Sequence, residues 1–179
     1  MPGFQSHLVP FSSTSSLPIE IMCAGKFLQG QQIDLCFDVT GEVDQIIFDT
    51  TLPNGKRTDD LWQKTCFELF VKDLNTENYW EYNLAPSSNW AIYGFSAYRT
   101  GKFDELSLAD IPIQITTQTD QFTLQCTIPL PKLIFNQKLK IGLSTVIQDR
   151  NGDIYYYALK HAANKPDFHD ERSFIIVTD

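Results

Sequence analysis

Two stretches of the sequence decide the fold, Thr65-Cys-Phe-Glu-Leu-Phe-Val71 and Tyr79-Trp-Glu-Tyr-Asn-Leu84. Both fit the period of two that is typical of β-strands, in which successive side chains point to opposite faces. In this phase the side chains assigned to the core are Phe67, Leu69, Val71, Trp80, Tyr82 and Leu84. The two stretches therefore predict consecutive strands of an antiparallel sheet.

Short apolar or alternating stretches run through the rest of the chain, at 17–23, 33–39, 43–49, 90–95, 111–117, 122–128, 139–147, 154–159 and 174–177. Turn-forming residues separate them, including Gly30, Leu52-Pro-Asn-Gly55 and the Asn151-Gly152 pair. Only 131–135 and 106–110 favour a helical turn. The pattern predicts an all-β fold, an antiparallel two-sheet β-sandwich of jelly-roll type with about ten strands. We expect one domain over residues 1–179.

Composition narrows the class of protein. Hydrophobic residues at 42% and charged residues at 20% are ordinary globular values, whereas 13% aromatic residues is high. The formal net charge of −8 argues against a nucleic-acid surface, because phosphate binding requires clustered Lys and Arg. We therefore expect no nucleic-acid partner.

Neither the four cysteines nor the start of the sequence indicates export. Cys23, Cys36, Cys66 and Cys126 are far apart and are interpreted as reduced apolar residues. The first 25 residues contain no Lys or Arg, and no stretch approaches the roughly 20 apolar residues of a membrane span. A cytoplasmic location and no membrane partner are the resulting expectations.

The opposite face of the two deciding strands carries a different mixture of side chains. Glu68 and Glu81 lie on it together with Asn83 and aromatic rings, and Arg99 follows the next strand. Carboxylates, amides and guanidinium groups hydrogen-bond vicinal hydroxyls, and aromatic faces pack on sugar C–H groups. Candidate ligand-binding residues are Trp62, Glu68, Glu81, Asn83, Trp90, Tyr93 and Arg99. The alternative is a Glu68 to Arg99 salt bridge that only closes the face.

Catalysis and metal binding are weaker alternatives. The sequence has no phosphate-binding glycine loop, GxSxG elbow, HExxH pair or Cys-x-x-Cys. Glu68 and Glu81 on neighbouring strands could instead serve a glycosidase, whose two carboxylates flank the scissile bond. His161, Asp167 and His169 are weak metal-ligand candidates, against ordinary hydrogen bonding in a loop whose path Pro166 fixes.

A family resemblance follows from three motifs. Arg57-Thr-Asp-Asp-Leu-Trp-Gln-Lys-Thr-Cys-Phe-Glu-Leu-Phe70, then Tyr79 to Trp90 with Tyr93 and Tyr98-Arg99, and an ending at Ala158 to His169, resemble the DOMON-like domains. These domains are related to the family 9 carbohydrate-binding modules, and the chain looks most like their small, stand-alone, poorly characterised branch. The resemblance implies a β-sandwich with a ligand groove on one sheet.

The resemblance also implies roles for single residues. Glu68 transfers best to the groove, Asn83 and Arg99 more loosely, and Trp62 is a candidate stacking residue, although a second tryptophan is missing from the C-terminal third. Haem in the cytochrome relatives is held by Met and His, whereas Met22 here is interpreted as a core residue; some relatives bind calcium. We expect a non-catalytic domain for a carbohydrate or similar small polar ligand, without a cofactor. The alternatives are a hydrolytic or metal-assisted enzyme on a sugar-like substrate, and a protein-interaction or haem-binding domain.

Overall fold

The computed structural model describes residues 3–12, 16–29, 31–49, 55–108, 110–135 and 137–178. Its strands are β1 (Gly3–Pro10), β2 (Ile19–Leu28), β3 (Gln32–Gly41), β4 (Cys66–Asp73), β5 (Tyr79–Leu84), β6 (Trp90–Phe95), β7 (Phe103–Asp104), β8 (Ile113–Thr117), β9 (Gln121–Pro129), β10 (Leu139–Gln148), β11 (Ile154–Ala158) and β12 (Ile176–Val177). Short 3-10 segments occupy Val43–Gln45, Leu61–Gln63, Lys132–Ile134 and Glu171–Ser173. Within the described ranges there is no α-helix, and the all-β prediction is confirmed. None of the described residues forms a helix long and apolar enough to cross a membrane.

The strands form one curled antiparallel sheet in the order β7-β6-β5-β4-β10-β11-β1-β2-β3-β9-β8, with β12 beside β10. Strand β1 joins the two halves of this sheet. Its residues Gly3 to Leu8 pair with β2, and Val9 and Pro10 pair with Ala158 and Tyr157 of β11. One half therefore contains β4 to β7 with β10 to β12, and the other contains β2, β3, β8 and β9.

The two halves pack face to face across a shared core. The ring of Phe67 on β4 lies 5.2 Å from the ring of Phe37 and 5.5 Å from that of Phe122, which belong to the other half. Tyr82 on β5 donates a hydrogen bond to the carbonyl of Pro129 on β9 at 3.0 Å. All six side chains that strand phase assigned to the core are buried there, so the predicted phase of β4 and β5 is confirmed.

Several local predictions were wrong. Strand β1 was not predicted, and Val43–Gln45 forms a 3-10 segment within the stretch interpreted as apolar strand. Met22 is half-buried and faces away from the core, because Ile21 and Cys23 on either side of it take the core positions. The described residues of 106–110 contain no helical turn. The predicted turns at Gly30 and at 52–54 lie outside the described residues.

A second apolar cluster covers the outer face of β4, β5 and β6. It consists of Leu61, Cys66, Phe70, Tyr79, Ala85, Ala91, Tyr93, Phe95 and Phe174. Residues 161–174, the C-terminal segment, lie against this face through Phe174, whose ring stacks 5.4 Å from the ring of Phe70. Gly142 on β10 makes room for Phe174, since a Cβ at that position would lie 2.3 Å from its Cδ1 atom. The C-terminal segment thus covers a face that would otherwise be open to solvent.

Candidate functional site

A groove of about 870 Å³ runs over the outer face beside the C-terminal segment. Its aromatic lining consists of Trp62, Phe70, Phe95, Tyr156 and Phe168. Its charged or titratable lining consists of Glu68, Glu81, Arg99, Lys102, Lys165 and His169. The floor is formed by strands, and the walls come from the Leu61–Gln63 segment and the C-terminal segment. This mixture of a largely apolar wall with a few convergent polar groups is typical of small-molecule sites.

The two glutamates lie on the floor of the groove. The structure brings Glu68 directly opposite both Asn83 on β5 and Ser144 on β10. Its carboxylate accepts a hydrogen bond from Ser144 Oγ at 2.9 Å, and Glu81 Oε1 accepts one from Asn83 Nδ2 at 2.7 Å. Glu68 is 3% exposed and Glu81 6% exposed. Both therefore occupy the predicted outer face, but under the cover of neighbouring side chains.

Burial changes the protonation of this pair. Burial and the nearby charge of Glu81 raise the pKa of Glu68 to about 8, although the Ser144 hydrogen bond acts in the opposite direction. Burial also raises the pKa of Glu81, opposed by the Asn83 hydrogen bond and by the charges of Lys102 and Arg99. Because two carboxylates in one buried site resist double ionisation, Glu68 keeps its proton at neutral pH.

His169 connects the C-terminal segment to the floor. Its Nδ1 lies 2.8 Å from the hydroxyl of Tyr79, which also accepts a hydrogen bond from the backbone N–H of Arg99 at 3.1 Å. The hydroxyl proton is thus available to Nδ1, which leaves the ring proton on Nε2, 3.7 Å from Glu81 Oε2. Burial lowers the pKa of His169 to about 4. At neutral pH the imidazole is therefore an uncharged donor facing Glu81.

Arg99 pairs with the C-terminal segment, not with Glu68. Its guanidinium donates to Asp167 Oδ1 at 2.9 Å, and the hydroxyl of Tyr98 donates to the other oxygen of the same carboxylate. Burial acts to raise the pKa of Asp167, but these hydrogen bonds outweigh it and the pKa is lowered. The alternative of a Glu68 to Arg99 salt bridge is therefore not observed. Arg99 lines the groove while it anchors the segment.

We expect the substitution Asp167→Asn to loosen the C-terminal segment, because it removes the ion pair with Arg99 and weakens the hydrogen bond from Tyr98. A partly exposed ion pair contributes up to about 1 kcal/mol, so amide hydrogen exchange in residues 163–174 should accelerate about fivefold. The exposed Asp120→Asn is the matched control. Unchanged exchange in Asp167→Asn would show that the segment is held without this pair.

The remaining predicted site residues lie on different faces of the sheet, some on the outer face and one in the core. Trp62 lines the groove with 48% of its surface exposed. Tyr93 lies on the outer face; its hydroxyl donates to Asp59 at 2.7 Å, and Lys102 Nζ lies 3.6 Å from the centre of its ring. Trp90 was placed wrongly, since it is 2% exposed and belongs to the core cluster on the opposite face. The reason is strand alternation, which gives the outer face of β6 to Ala91, Tyr93 and Phe95.

The three weak metal candidates have separate partners. His161 Nε2 lies 2.9 Å from the carbonyl of Val9, Asp167 pairs with Arg99, and His169 contacts Tyr79. Across the part of the chain that the structure describes, no group of three His, Cys, Asp or Glu side chains could hold a metal ion.

The arrangement of His7 and Met22 does not fit haem ligation. These residues lie directly opposite each other on β1 and β2, so both side chains leave the same face of the sheet. Axial ligands must approach an iron from opposite sides, and the Met22 sulfur already accepts a hydrogen bond from Gln5 Nε2 at 2.6 Å. His7 and Met22 therefore cannot hold one haem iron between them.

The sequence pattern alone does not identify several residues of the groove and of the floor beneath it. Ser144, which holds Glu68, could have been found from the phase of β10, in which Leu143 faces the core. Phe168 and His169 belong to the terminal motif that carried the family resemblance, but their position over β4 and β5 depends on long-range packing. Lys102 lies beyond the predicted strands and had no local pattern to mark it.

Comparisons with known proteins identify a solved structure with a similar fold. No family model matches the chain, and no curated protein is detectably similar in sequence. A solved structure from Bacteroides uniformis ATCC 8492, a protein with a proposed carbohydrate-binding role, has a TM-score of 0.71 at 13% identity over 96% of this chain and 84% of its own. This similarity shows that the two proteins share the curled antiparallel β fold.

Weaker similarity extends to a family 9 carbohydrate-binding module from Caldicellulosiruptor kristjanssonii. Its complex with glucose gives a TM-score of 0.48 at 10% identity, over 81% of this chain and 69% of the module chain. Its complex with cellotriose gives 0.46 at 11% identity, over 81% and 67%.

Proposed function

We propose that this protein is a non-catalytic carbohydrate-binding domain of DOMON-like type that holds its ligand in the groove. The observation that carries the proposal is the exposed face of Trp62 above a floor that contains the buried pair Glu68 and Glu81. The shared fold with the Bacteroides uniformis protein, whose proposed role is carbohydrate binding, supports it.

The groove has the chemistry that a sugar requires. A sugar ring presents apolar C–H faces that pack on aromatic rings, here Trp62 and Tyr156. Its hydroxyl groups require planar donors and acceptors, which Arg99, Glu68 and Glu81 provide. The volume of about 870 Å³ is within the usual range of roughly 300–1,000 Å³ for ligand sites and accommodates a short oligosaccharide.

A glycan array followed by titration calorimetry should identify at least one mono- or oligosaccharide that binds, and Trp62→Ala should weaken its binding about tenfold. The expected loss corresponds to about 1.4 kcal/mol of aromatic packing, and Trp62 is exposed enough for the substitution to leave the fold intact. The control is Leu133→Ala, which removes another exposed apolar side chain, in the Lys132–Ile134 segment. Equal affinity in Trp62→Ala and the wild type would contradict the proposed site.

One observation favours a second candidate, a glycoside hydrolase. Glu68 keeps its proton near neutral pH beside Glu81, as a general acid does in such enzymes. Release of nitrophenol from chromogenic glycosides by the wild type, abolished in Glu81→Gln, would establish hydrolysis instead.

A further inference from the structure

Three cationic side chains line the groove, although the whole chain has a formal net charge of −8. Arg99 is neutralised by Asp167 at 2.9 Å. Lys102 and Lys165 have no carboxylate partner within the described part of the chain. The ammonium group of Lys102 instead lies 3.6 Å from the centre of the Tyr93 ring. Within the described residues, the groove therefore contains two cations that take part in no ion pair.

The acidic side chains of the groove do not compensate these cations. Glu68 and Glu81 are the carboxylates of the lining, and both are directed to partners on the floor, Ser144 and Asn83. Burial, with the charge of Glu81, raises the pKa of Glu68 to about 8, so at neutral pH at most one of the two lining carboxylates opposes the charge of the two lysines. Tyr93, whose ring lies under the ammonium group of Lys102, is directly opposite Glu81 on β5, which places this cation beside the floor.

Unpaired cations at the edge of an apolar groove concentrate anions from solution, and the effect is stronger where water is partly excluded. The hydroxyl-binding groups remain available on the floor, and the aromatic wall remains available to a ring. From the unpaired Lys102 and Lys165 and the aromatic wall beside them, we infer that the groove binds a sugar that carries an acidic group. This inference specifies the ligand class of the proposed carbohydrate site and depends on that function.

The test compares matched acidic and neutral sugars by titration calorimetry at low ionic strength. The pairs are glucuronate with glucose, galacturonate with galactose, and glucose 6-phosphate with glucose, so that a carboxylate source and a phosphate source are separate arms. We expect at least one acidic member to bind about tenfold more tightly than its parent, because its anionic group is attracted by two exposed ammonium groups. The preference should decrease as salt is added.

A double variant and a control variant test whether the preference for the acidic sugar depends on Lys102 and Lys165. The double substitution Lys102→Met and Lys165→Met should remove the preference, so that the acidic member binds no more tightly than its neutral parent. The control is Lys132→Met, an exposed lysine of the Lys132–Ile134 segment that is not part of the groove. Thermal unfolding of each variant verifies that the fold is retained.

The outcomes separate this inference from the proposed function. Equal affinity for acidic and neutral members, with measurable binding of both, would overturn the acidic-sugar inference and leave carbohydrate binding in place. Absence of binding by every sugar in the array and the matched pairs would overturn both. Inorganic phosphate that binds as tightly as glucose 6-phosphate would also overturn the inference, because the ring would then contribute nothing.

Discussion

The free energy of unfolding of Glu68→Gln is expected to exceed that of the wild type by a margin that grows by about 2 kcal/mol between pH 6.5 and pH 8. Gln has the shape of the protonated carboxyl group and can still accept the hydrogen bond from Ser144. It cannot ionise in either state, so the unfolded variant lacks the stabilisation that the unfolded wild type gains when Glu68 loses its proton above pH 4.5. The expected increase corresponds to one proton that the folded wild type binds and the unfolded wild type does not, over the interval from pH 6.5 to 8.

The direction follows from proton linkage. The pKa of Glu68 rises from 4.5 to about 8 on folding, so the folded state holds more protons between these values and stability falls as the pH increases. The pKa of His169 falls from 6.5 to about 4, so stability rises with pH in that interval. In the wild type the two effects offset each other from about pH 4.5 to 6.5, whereas Glu68→Gln retains only the effect of His169. Above pH 6.5 the loss due to Glu68 is no longer compensated.

Urea unfolding between pH 5.5 and 8.5 measures this difference. The control is Glu20→Gln, at an exposed position on β2 where the same change of charge has no buried partner. Stability curves of the wild type and Glu68→Gln that stay parallel across this interval would show that Glu68 is already ionised in the folded protein.

Phe174→Ala should destabilise the protein by about 3 to 5 kcal/mol, the usual cost of truncating a buried phenylalanine. Phe174 is 1% exposed and stacks on Phe70, and it is the buried side chain at the end of the C-terminal segment. Its loss should also release His169 from the floor and weaken ligand binding. Ile175→Ala, at the neighbouring position that is 49% exposed, is the control.

Gly142→Ala tests the same contact from the strand side. Alone it should cost about 1 to 3 kcal/mol, because the new methyl group would overlap the Phe174 ring. In the Phe174→Ala background the methyl group has space, and the cost should largely disappear. Additive costs in the double variant, measured by chemical denaturation, would show that the ring does not lie over Gly142 in solution.

The alternation of side chains was enough to predict which face of β4 and β5 enters the core. Phe67, Leu69 and Tyr82 are buried as expected, because successive side chains of a strand alternate between its two faces whatever the neighbouring strands are. The same rule should have placed Trp90 inside, since Trp90 follows the phase of Ile92. The prediction of Trp90 as a ligand-binding residue rested on its aromatic ring and not on its strand phase.

The burial of the outer face could not be predicted in this way. Glu68 was expected in an open groove or a simple ion pair, whereas its partner Ser144 is 76 residues away in sequence. The Arg99 to Asp167 pair spans 68 residues. Such contacts depend on how β10 and the C-terminal segment pack against β4, and a local pattern carries no information about that packing. Strand β1 was missed because its buried side chain, Leu8, gives little periodicity in eight residues.

The way the chain alternates between the halves of the sheet has a kinetic consequence. Strand β3 pairs with β9, β4 with β10, and β1 with β11, so each half is completed only by strands that follow a long excursion into the other half. Closing such large loops precedes most of the favourable contacts, and folds of this kind form slowly, in roughly milliseconds to seconds. On the ribosome, the edge of β4 that pairs with β10 would stay open after β5 has formed, an interval in which association with another chain or a chaperone competes with folding.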